Sequence, residues 1–235
     1  MVRLIFALLV VTLPAKAAEQ LAVFYPTTLA VPDMEKALKA DAAMAAKKVV
    51  VYAKFSEFES AQQADPAKFI IVPSAFVKYN KDYSPALQFT KGGKDEFQYL
   101  LLSIHDKWNK DSIGTGVVGL VEQLGRKERK EYTEFLMGGN GFKRIKVVTK
   151  IEDLFPLLAL DNADYIFIEP DQHEKLKEKF KAQTNLVAKT VAVGFPVVCV
   201  KGDASAADLA AFKKISSQTL QALGFDGLSE PRKGK

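Results

Sequence analysis

The sequence predicts a mixed α/β fold of two lobes with a ligand cleft between them. Short apolar runs alternate with longer amphipathic segments, which is typical of strands followed by helices on an α/β sheet. Two such α/β units are joined by extended stretches, one in the middle of the chain and one near its end, so the chain crosses twice between the lobes. The 235 residues, 48 % hydrophobic and 26 % charged, have the composition of a globular protein with a substantial core.

Residues 1–17 have the pattern of a secretory signal peptide. Arg3 precedes an apolar run over residues 4–13, and a small-residue triplet follows at 15–17. An apolar run of this length is shorter than the roughly 20 residues that cross a bilayer, although a retained membrane anchor is the alternative interpretation. We therefore expect a periplasmic or secreted protein without stable membrane insertion.

A first βαβαβ unit follows. Its predicted strands are residues 21–25, 49–52 and 69–72, and its predicted helices are residues 33–46 and 55–63. Asp33 is placed to cap the first helix. Pro73 ends the third strand, and Ser74 is placed to cap the next turn.

The middle of the chain has no helical rhythm at first. Residues 86–90, the turn 91–94 and residues 97–105 predict a hairpin or long strands. Residues 112–116 predict a short strand that runs into a glycine-rich turn, and the apolar residues after it recur at helical spacing. These are Val117, Val118, Val121 and Leu124.

A second α/β unit and a last helix complete the chain. The expected elements are, in order, a strand at 147–148, a helix at 151–160, a strand at 165–168, a helix at 171–180, strands at 186–188 and 196–200, and a helix with Leu209, Phe212, Ile215 and Leu223 on one face. We assign residues 18–104 and 191–235 to lobe 1 and residues 105–190 to lobe 2.

Charge and reactive residues exclude several classes of function. The formal charge of +5 comes from 33 basic and 28 acidic residues that alternate along the chain, so nucleic acid is not an expected partner. Cys199 is the one cysteine and lies in an apolar run, which predicts a buried thiol and no internal disulfide. His105 and His173 lie far apart without a cluster of ligands, so we expect no metal and no other cofactor. No catalytic residues are predicted, and we expect a protein that is not an enzyme.

Several segments carry a resemblance to a known family. They are residues 69–77, the extended stretch 84–103, the turn 113–116 at a predicted helix start, the strand 163–168 and the return through 194–198. In order and spacing the chain resembles the type 2 periplasmic solute-binding proteins, and most of all the phosphate- and phosphonate-binding proteins of ABC importers. The resemblance implies a monomer that closes its lobes on a small, anionic, phosphate- or phosphonate-like solute and delivers it to an importer permease.

The resemblance also implies where the anion is held. In that family, backbone amides and hydroxyls at a helix start in the second lobe bind the anion, and the matching position here is Gly114, Thr115 and Gly116. Glycines let a backbone approach a ligand, and a helix start offers free N–H groups. The alternative is a tight strand-to-helix turn that binds nothing.

Lobe 1 has candidates after its first and third strands. Tyr25, Thr27 and Thr28 follow the first strand, Ser74 follows the third, and Tyr79 lies one helical turn further on. These stations correspond to ligand-facing loops in the family. The alternatives are that both threonines are turn residues, that Ser74 is only a helix cap, and that Tyr79 packs in the core.

Glu169 is the candidate acid of lobe 2. It stands where a strand ends and a helix begins, and Asp171 with Glu174 fits a capping box, which leaves Glu169 with less structural reason to be acidic. A carboxylate in the cleft would repel a phosphate-like dianion and favour a ligand with a cationic or hydroxyl group.

Two other classes of function stay open at this point. The same fold can serve as a sensor or accessory module that binds a protein partner. An exported enzyme is the third hypothesis, although the sequence has no nucleophile–base pair or cofactor fingerprint to support it.

Overall fold

A computed structural model describes residues 18–181 and 183–231. The predicted signal peptide, residues 1–17, lies outside the described residues. Within the described part of the chain, no helix combines the length and the apolar character needed to cross a membrane.

The strands and helices alternate along the chain. The strands are β1 Glu19–Val23, β2 Lys47–Val51, β3 Phe69–Val72, β4 Tyr83–Thr90, β5 Glu96–Phe97, β6 Leu100–Ser103, β7 Val117–Val121, β8 Arg144–Val148, β9 Tyr165–Ile168, β10 Asn185–Lys189, β11 Val193–Gly194, β12 Val197–Lys201 and β13 Gly227–Ser229. The helices are α1 Val31–Ala40, α2 Phe55–Ala64, α3 Ser74–Tyr79, α4 Glu128–Leu136, α5 Leu154–Ala159, α6 Pro170–Phe180, α7 Ala206–Lys213 and α8 Ser217–Ala222.

Lobe 1 is built on a six-stranded sheet in the order β13-β4-β12-β3-β1-β2. β1 runs parallel to β2 and β3, whereas β12 lies antiparallel between β3 and β4. All four residues of β3 are buried, as expected for a central strand with both faces covered. The apolar sides of α1, α7 and α8 cover one face of the sheet, and those of α2 and α3 cover the other.

Lobe 2 is built on a five-stranded sheet in the order β10-β6-β9-β7-β8. β7 is parallel to β8 and β9, and β6 is antiparallel to β9 and β10. Tyr132 and Leu136 of α4 pack on one side of this sheet, and α5 and α6 pack on the other through Leu154, Leu158 and Leu176. Both lobes are therefore three-layered α/β units, and the predicted α/β fold class is confirmed.

The two crossings between the lobes run side by side. Residues 91–99 connect β4 to β6, residues 190–196 connect β10 to β12, and β5 pairs with β11 in an antiparallel ribbon between them. The sequence-based boundary at residue 104 differs from this topology, because β6 belongs to the sheet of lobe 2. Of the hairpin or long strands predicted at 86–90 and 97–105, the structure has separate strands, because β4 and β6 pair in different sheets.

The predicted helix at Val117–Leu124 is wrong, since this segment contains strand β7. Its apolar residues are nearly contiguous, and such a run fits a buried strand as well as a helix face. Gly119 in its centre lies against Leu157, where an added Cβ would come within 2.7 Å of the leucine Cδ1. The helix of this unit begins at Glu128, after the loop that follows β7.

Helix ends also differ from the sequence prediction. α1 begins at Val31 after Ala30, so Asp33 lies in its first turn and is not its cap. The last helix is two helices, α7 and α8, and the Ser216 side chain caps the second of them. A seryl cap between two short helices lets Phe212 and Leu223 pack into the same core from different axes.

An ion-pair network fastens α7 to the edge of the lobe 1 sheet where β1 begins. Lys68 Nζ lies 2.7 Å from Glu19 Oε1 and 3.3 Å from Asp208 Oδ2, and Lys47 Nζ lies 3.3 Å from Glu19 Oε2. The Lys47 side chain is only 5 % exposed and sits 4.0 Å above the Phe69 ring. A hydrogen bond from Ser205 and the nearby Lys68 hold the pKa of Asp208 well below its ordinary value.

Replacing Asp208 with asparagine should lower the free energy of unfolding at pH 7 by about 2 kcal/mol, because charge-assisted hydrogen bonds are lost. A carboxylate with a lowered pKa stabilises the fold above its unfolded pKa of 3.8, and this stabilisation is lost as the pH falls. The deficit of the variant should therefore shrink in acid. Urea unfolding at pH 7 and pH 3 measures both effects, with exposed Asp203→Asn as the control. An equal deficit at both pH values would contradict the assignment.

Candidate ligand-binding site

The candidate site is the cleft where strands of the two sheets end facing each other. The loops after β1 and β3 come from lobe 1, the loops after β7 and β9 come from lobe 2, and the β5–β11 ribbon closes the back. Ligands of open α/β sheets bind at such carboxyl ends. The inner pocket has a cavity volume of about 70 Å³, which is room for several water molecules or a small solute.

Aromatic rings form much of the pocket wall. They come from both lobes and from both crossings: Tyr25, Phe97, Tyr99, Tyr132, Phe195 and Phe225. The Phe97 ring stacks on Phe195 with centroids 4.9 Å apart and meets Tyr99 edge-on at 4.8 Å. Because the two crossings each contribute a ring to this stack, the wall of the pocket is part of the connection between the lobes.

Glu169 brings a carboxylate into this aromatic pocket. It follows β9 and stands at the N-cap position of α6, yet its side chain makes no capping hydrogen bond. Among residues 18–181 and 183–231, no hydrogen bond or ion pair to its carboxylate is found. Burial raises the pKa of Glu169 to about 7, opposed by the positive charges of Lys91 and Lys175 and reinforced by the negative charge of Asp171.

Two charged residues at the rim join the lobes directly. Lys91 lies on the turn after β4, which is held to lobe 1 by hydrogen bonds from Thr90 and Gly92 to Asp226. Lys91 forms an ion pair with Asp171 at the start of α6 in lobe 2. The predicted capping box of Asp171 and Glu174 is therefore wrong, since Asp171 points to Lys91 and Glu174 pairs with Lys177.

Five of the residues proposed from sequence line the pocket: Tyr25, Thr27, Thr28, Ser74 and Glu169. Several of their polar groups already have partners. The Tyr25 hydroxyl donates to the Leu223 carbonyl at 2.9 Å, and Thr27 Oγ1 accepts from the Leu29 amide at 3.1 Å. A ligand would therefore meet the ring of Tyr25 before its hydroxyl.

Ser74 ties lobe 1 to a crossing. Its hydroxyl donates to the Gly194 carbonyl at 2.6 Å, and Ser74 is the first residue of α3 with Pro73 at the cap position. The expected helix-cap role is not seen, because the hydroxyl is turned toward β11.

The turn Gly114-Thr115-Gly116 lies outside the pocket. Residues 110–115 form a 3-10 helix and not the predicted short strand. Because β7 begins at Val117, this segment precedes the amino end of that strand, at the opposite edge of the sheet from the cleft. Thr115 donates to the Ser112 carbonyl at 2.9 Å. Packing explains the glycine at position 116, because an added Cβ would lie 2.3 Å from Cε2 of the Tyr165 ring. Tyr79 also lies away from the pocket and packs against the core.

Sequence reasoning missed the residues that the crossings and α4 contribute. Gln123 is 6 % exposed and lies 3.4 to 3.5 Å from the Tyr99 hydroxyl. It lies inside the predicted helix Val117–Leu124, and a strand assignment for Val117–Val121 places it just after the strand, at the cleft. The aromatic residues of the crossings carry no comparable signal, because only the paired ribbon brings them together.

Reactive side chains elsewhere form no second centre. Within the described residues, no group of three histidine, cysteine or acidic side chains could hold a metal ion. His105 bonds to Asp161 at 2.8 Å, and His173 bonds to Thr184 at 3.1 Å. Cys199 is fully buried in β12, and burial raises the pKa of its thiol well above the ordinary value.

Comparison with known proteins finds relatives in structure and not in sequence. No protein-family model matches the chain, and no curated protein has a significant match. PhnD1 from Prochlorococcus marinus in complex with methylphosphonate superposes with a TM-score of 0.67 at 8 % identity, over 92 % of this chain and 93 % of the other. A Xanthomonas citri protein bound to ATP gives 0.65 at 12 % identity, over 93 % and 92 % of the two chains.

A third similar structure binds an amino acid. It is the periplasmic His/Glu/Gln/Arg/opine family-binding protein from Silicibacter pomeroyi in complex with lysine, with a TM-score of 0.56 at 10 % identity, over 89 % of this chain and 97 % of the other. These similarities confirm the two-lobed fold of the type 2 periplasmic binding proteins that the resemblance implied. The ligands of the neighbours are anionic in some cases and amino acids in others, so the shared fold leaves the ligand class open.

Gly116→Ala should destabilise the protein by about 2 kcal/mol or more, because the new methyl group would overlap the Tyr165 ring. Gly114→Ala is the matched control, since nothing lies within 4 Å of the position its Cβ would take. Urea unfolding of both variants checks this. Equal stabilities of the two variants would show that packing against Tyr165 does not require a glycine at position 116.

Glu169→Gln should raise the free energy of unfolding at pH 8 by about 2 kcal/mol. Between the ordinary pKa of 4.5 and the folded pKa of about 7, the folded state holds a proton that the unfolded state has lost, so wild-type stability falls as the pH rises through this range. The variant should lack this fall. Unfolding curves from pH 4 to pH 8 test it, with exposed Glu174→Gln on the same helix as the control. Parallel curves for wild type and Glu169→Gln would refute the burial of this charge.

Proposed function

We propose that this chain is an exported, monomeric solute-binding protein that captures a small solute by closure of its lobes and delivers it to the permease of an ABC importer. The observation that carries the proposal is a small pocket at facing strand ends, lined by both lobes and containing Glu169, an acid without a partner among the described residues. A solute that contacts both lobes stabilises the closed arrangement over any open one. The signal-peptide pattern of residues 1–17 supports a periplasmic or secreted location.

The neighbouring structures support this class of function. One is a binding-protein component of an ABC phosphonate transporter from Pseudomonas aeruginosa, and another is the substrate-binding protein of an amino acid ABC transporter. Each belongs to a transporter for a small molecule.

The finer expectation of a phosphate- or phosphonate-like solute has one group in its favour and one against it. Exposed Lys175 on α6 lines the pocket and could meet an anionic group. Glu169 lies deeper and would repel a dianion once ionised. We keep an anionic group in the proposal only for a solute that also brings a positive charge to Glu169.

A protein-binding accessory or sensor module is the second candidate. The observation that favours it is the set of direct contacts between the two lobes. Besides the Lys91–Asp171 pair, Lys78 of α3 lies 3.3 Å from Glu131 of α4, and the apolar core runs through both lobes. A histidine kinase sensor domain with similarity to periplasmic binding proteins is also among the similar structures, with a TM-score of 0.54 at 16 % identity, over 91 % of this chain and 98 % of the other.

A thermal-shift panel of phosphate, methylphosphonate, sulfate, amino acids and small amines should give hits in one chemical class. A solute at about 1,000 times its Kd stabilises a protein by about 4 kcal/mol, which raises the Tm visibly. Small-angle scattering with a hit should show a smaller radius of gyration or a narrower distribution of shapes. Absence of any hit, together with a partner protein that co-purifies stably, would favour the accessory module instead.

A further inference from the structure

The charged residues at the rim of the inner pocket form an ion pair, whereas the acid inside the pocket has no partner among the described residues. Four charged residues line it among those described: Lys91, Glu169, Asp171 and Lys175. Lys91 and Asp171 pair with each other. Lys175 is exposed on α6, whereas Glu169 is half-buried at the N-cap position of the same helix. The interior of the pocket therefore presents a negative charge.

No capping or ion-pair interaction within the described residues explains why position 169 is an acid. Its carboxylate neither caps α6 nor pairs with a cation in the described residues. A carboxylate withdrawn from water without a partner destabilises a protein, and a bound cation offsets that cost. An acid that weakens the empty fold and faces a cavity has the properties of a ligand group.

The surroundings of Glu169 suit an ammonium group. Tyr25, Tyr99 and Tyr132 lie near enough that its negative charge, added to burial, raises the pKa of each hydroxyl. The three rings therefore stay neutral at any physiological pH. Neutral aromatic rings attract cations over their faces, with the strongest effect where water is excluded. Phe97 and Phe195 add two further rings to the same wall.

We propose that the cleft recognises its solute through an ammonium group, which the Glu169 carboxylate holds against the tyrosine and phenylalanine rings of the pocket. This inference rests on the proposed solute-binding function and names the class of solute. Any anionic end of the solute points to Lys175 at the rim. The inner cavity of about 70 Å³ has room for a small amine head, and a wider cavity that Glu169 also lines has room for the rest of the solute.

Pairs of probes that differ by an amino group test the proposal by titration calorimetry. Methylphosphonate is compared with 2-aminoethylphosphonate, acetate with glycine, and ethylene glycol with ethanolamine; putrescine and glycine betaine extend the amine set. We expect binding only from probes that carry the ammonium group. Glu169→Gln should weaken that binding about 100-fold, and Glu174→Gln should leave it unchanged.

The pH profile separates a charge contact from a structural role. Amine affinity should rise as the pH increases toward 7 and level off above it, because Glu169 must ionise to bind a cation. The charged groups Lys91, Lys175 and Asp171 also face this carboxylate. Glu169→Gln should abolish the slope.

Other outcomes distinguish failure of the inference from failure of the function. Binding of methylphosphonate or phosphate, unchanged or strengthened in Glu169→Gln, would overturn the ammonium site and leave solute binding intact. Binding of no probe by the wild-type protein would count against both. Amine binding that survives Glu169→Gln would overturn the role of this residue alone.

Discussion

The cleft depends on the pairing of two very short strands. β5 and β11 share two residue pairs, Phe97 with Val193 and Glu96 with Gly194, and both connections between the sheets pass through this ribbon. Because the connections are held side by side, the carboxyl ends of β1 and β3 face those of β7 and β9 across a narrow gap. The hydrogen bond from Ser74 to Gly194 holds the ribbon to lobe 1. The stack of Phe97 on Phe195 holds the two connections together. The ribbon therefore fixes which strand ends meet across the pocket, and the ion pairs and apolar contacts between the lobes add to it.

Charged residues at the far end of the lobe 1 sheet and in the cleft have opposite effects on stability. The Lys47, Lys68, Glu19 and Asp208 network lies at the far end of the lobe 1 sheet, where charges are paired and hydrogen-bonded. Glu169 is an acid of similar burial in the cleft without such pairing. The first arrangement stabilises the protein at neutral pH, and the second weakens it in the same range. Ionisable groups with strongly shifted pKa values are commonly found at sites where a ligand binds.

The sequence predicts those parts of the fold in which local pattern and environment agree. The run at Phe69–Val72 is apolar, β-branched and bounded by Pro73, and it is a central strand as predicted. Val117–Val121 was wrongly predicted as part of a helix, because a contiguous apolar run has no periodicity that distinguishes a strand from a helix. That error, together with the strand predicted at 112–116 where a 3-10 helix lies, assigned the glycine turn to the wrong end of β7, so Thr115 was placed in the cleft and Gln123 was overlooked. Glu169 was found because β9 was assigned correctly. The aromatic wall could not be predicted, because Phe97 and Phe195 meet only through pairing of distant segments.

Cys199 has a practical consequence for the study of lobe motion. Its thiol is fully buried between β3 and β4, so alkylating reagents and oxidants in bulk solvent do not reach it in the folded state. Fluorophores or spin labels attached through cysteines introduced on the two surfaces would then report distances without removal of the native residue. Because Cys199 is the one cysteine of the sequence, an introduced pair of cysteines has no other accessible native thiol to compete for the label.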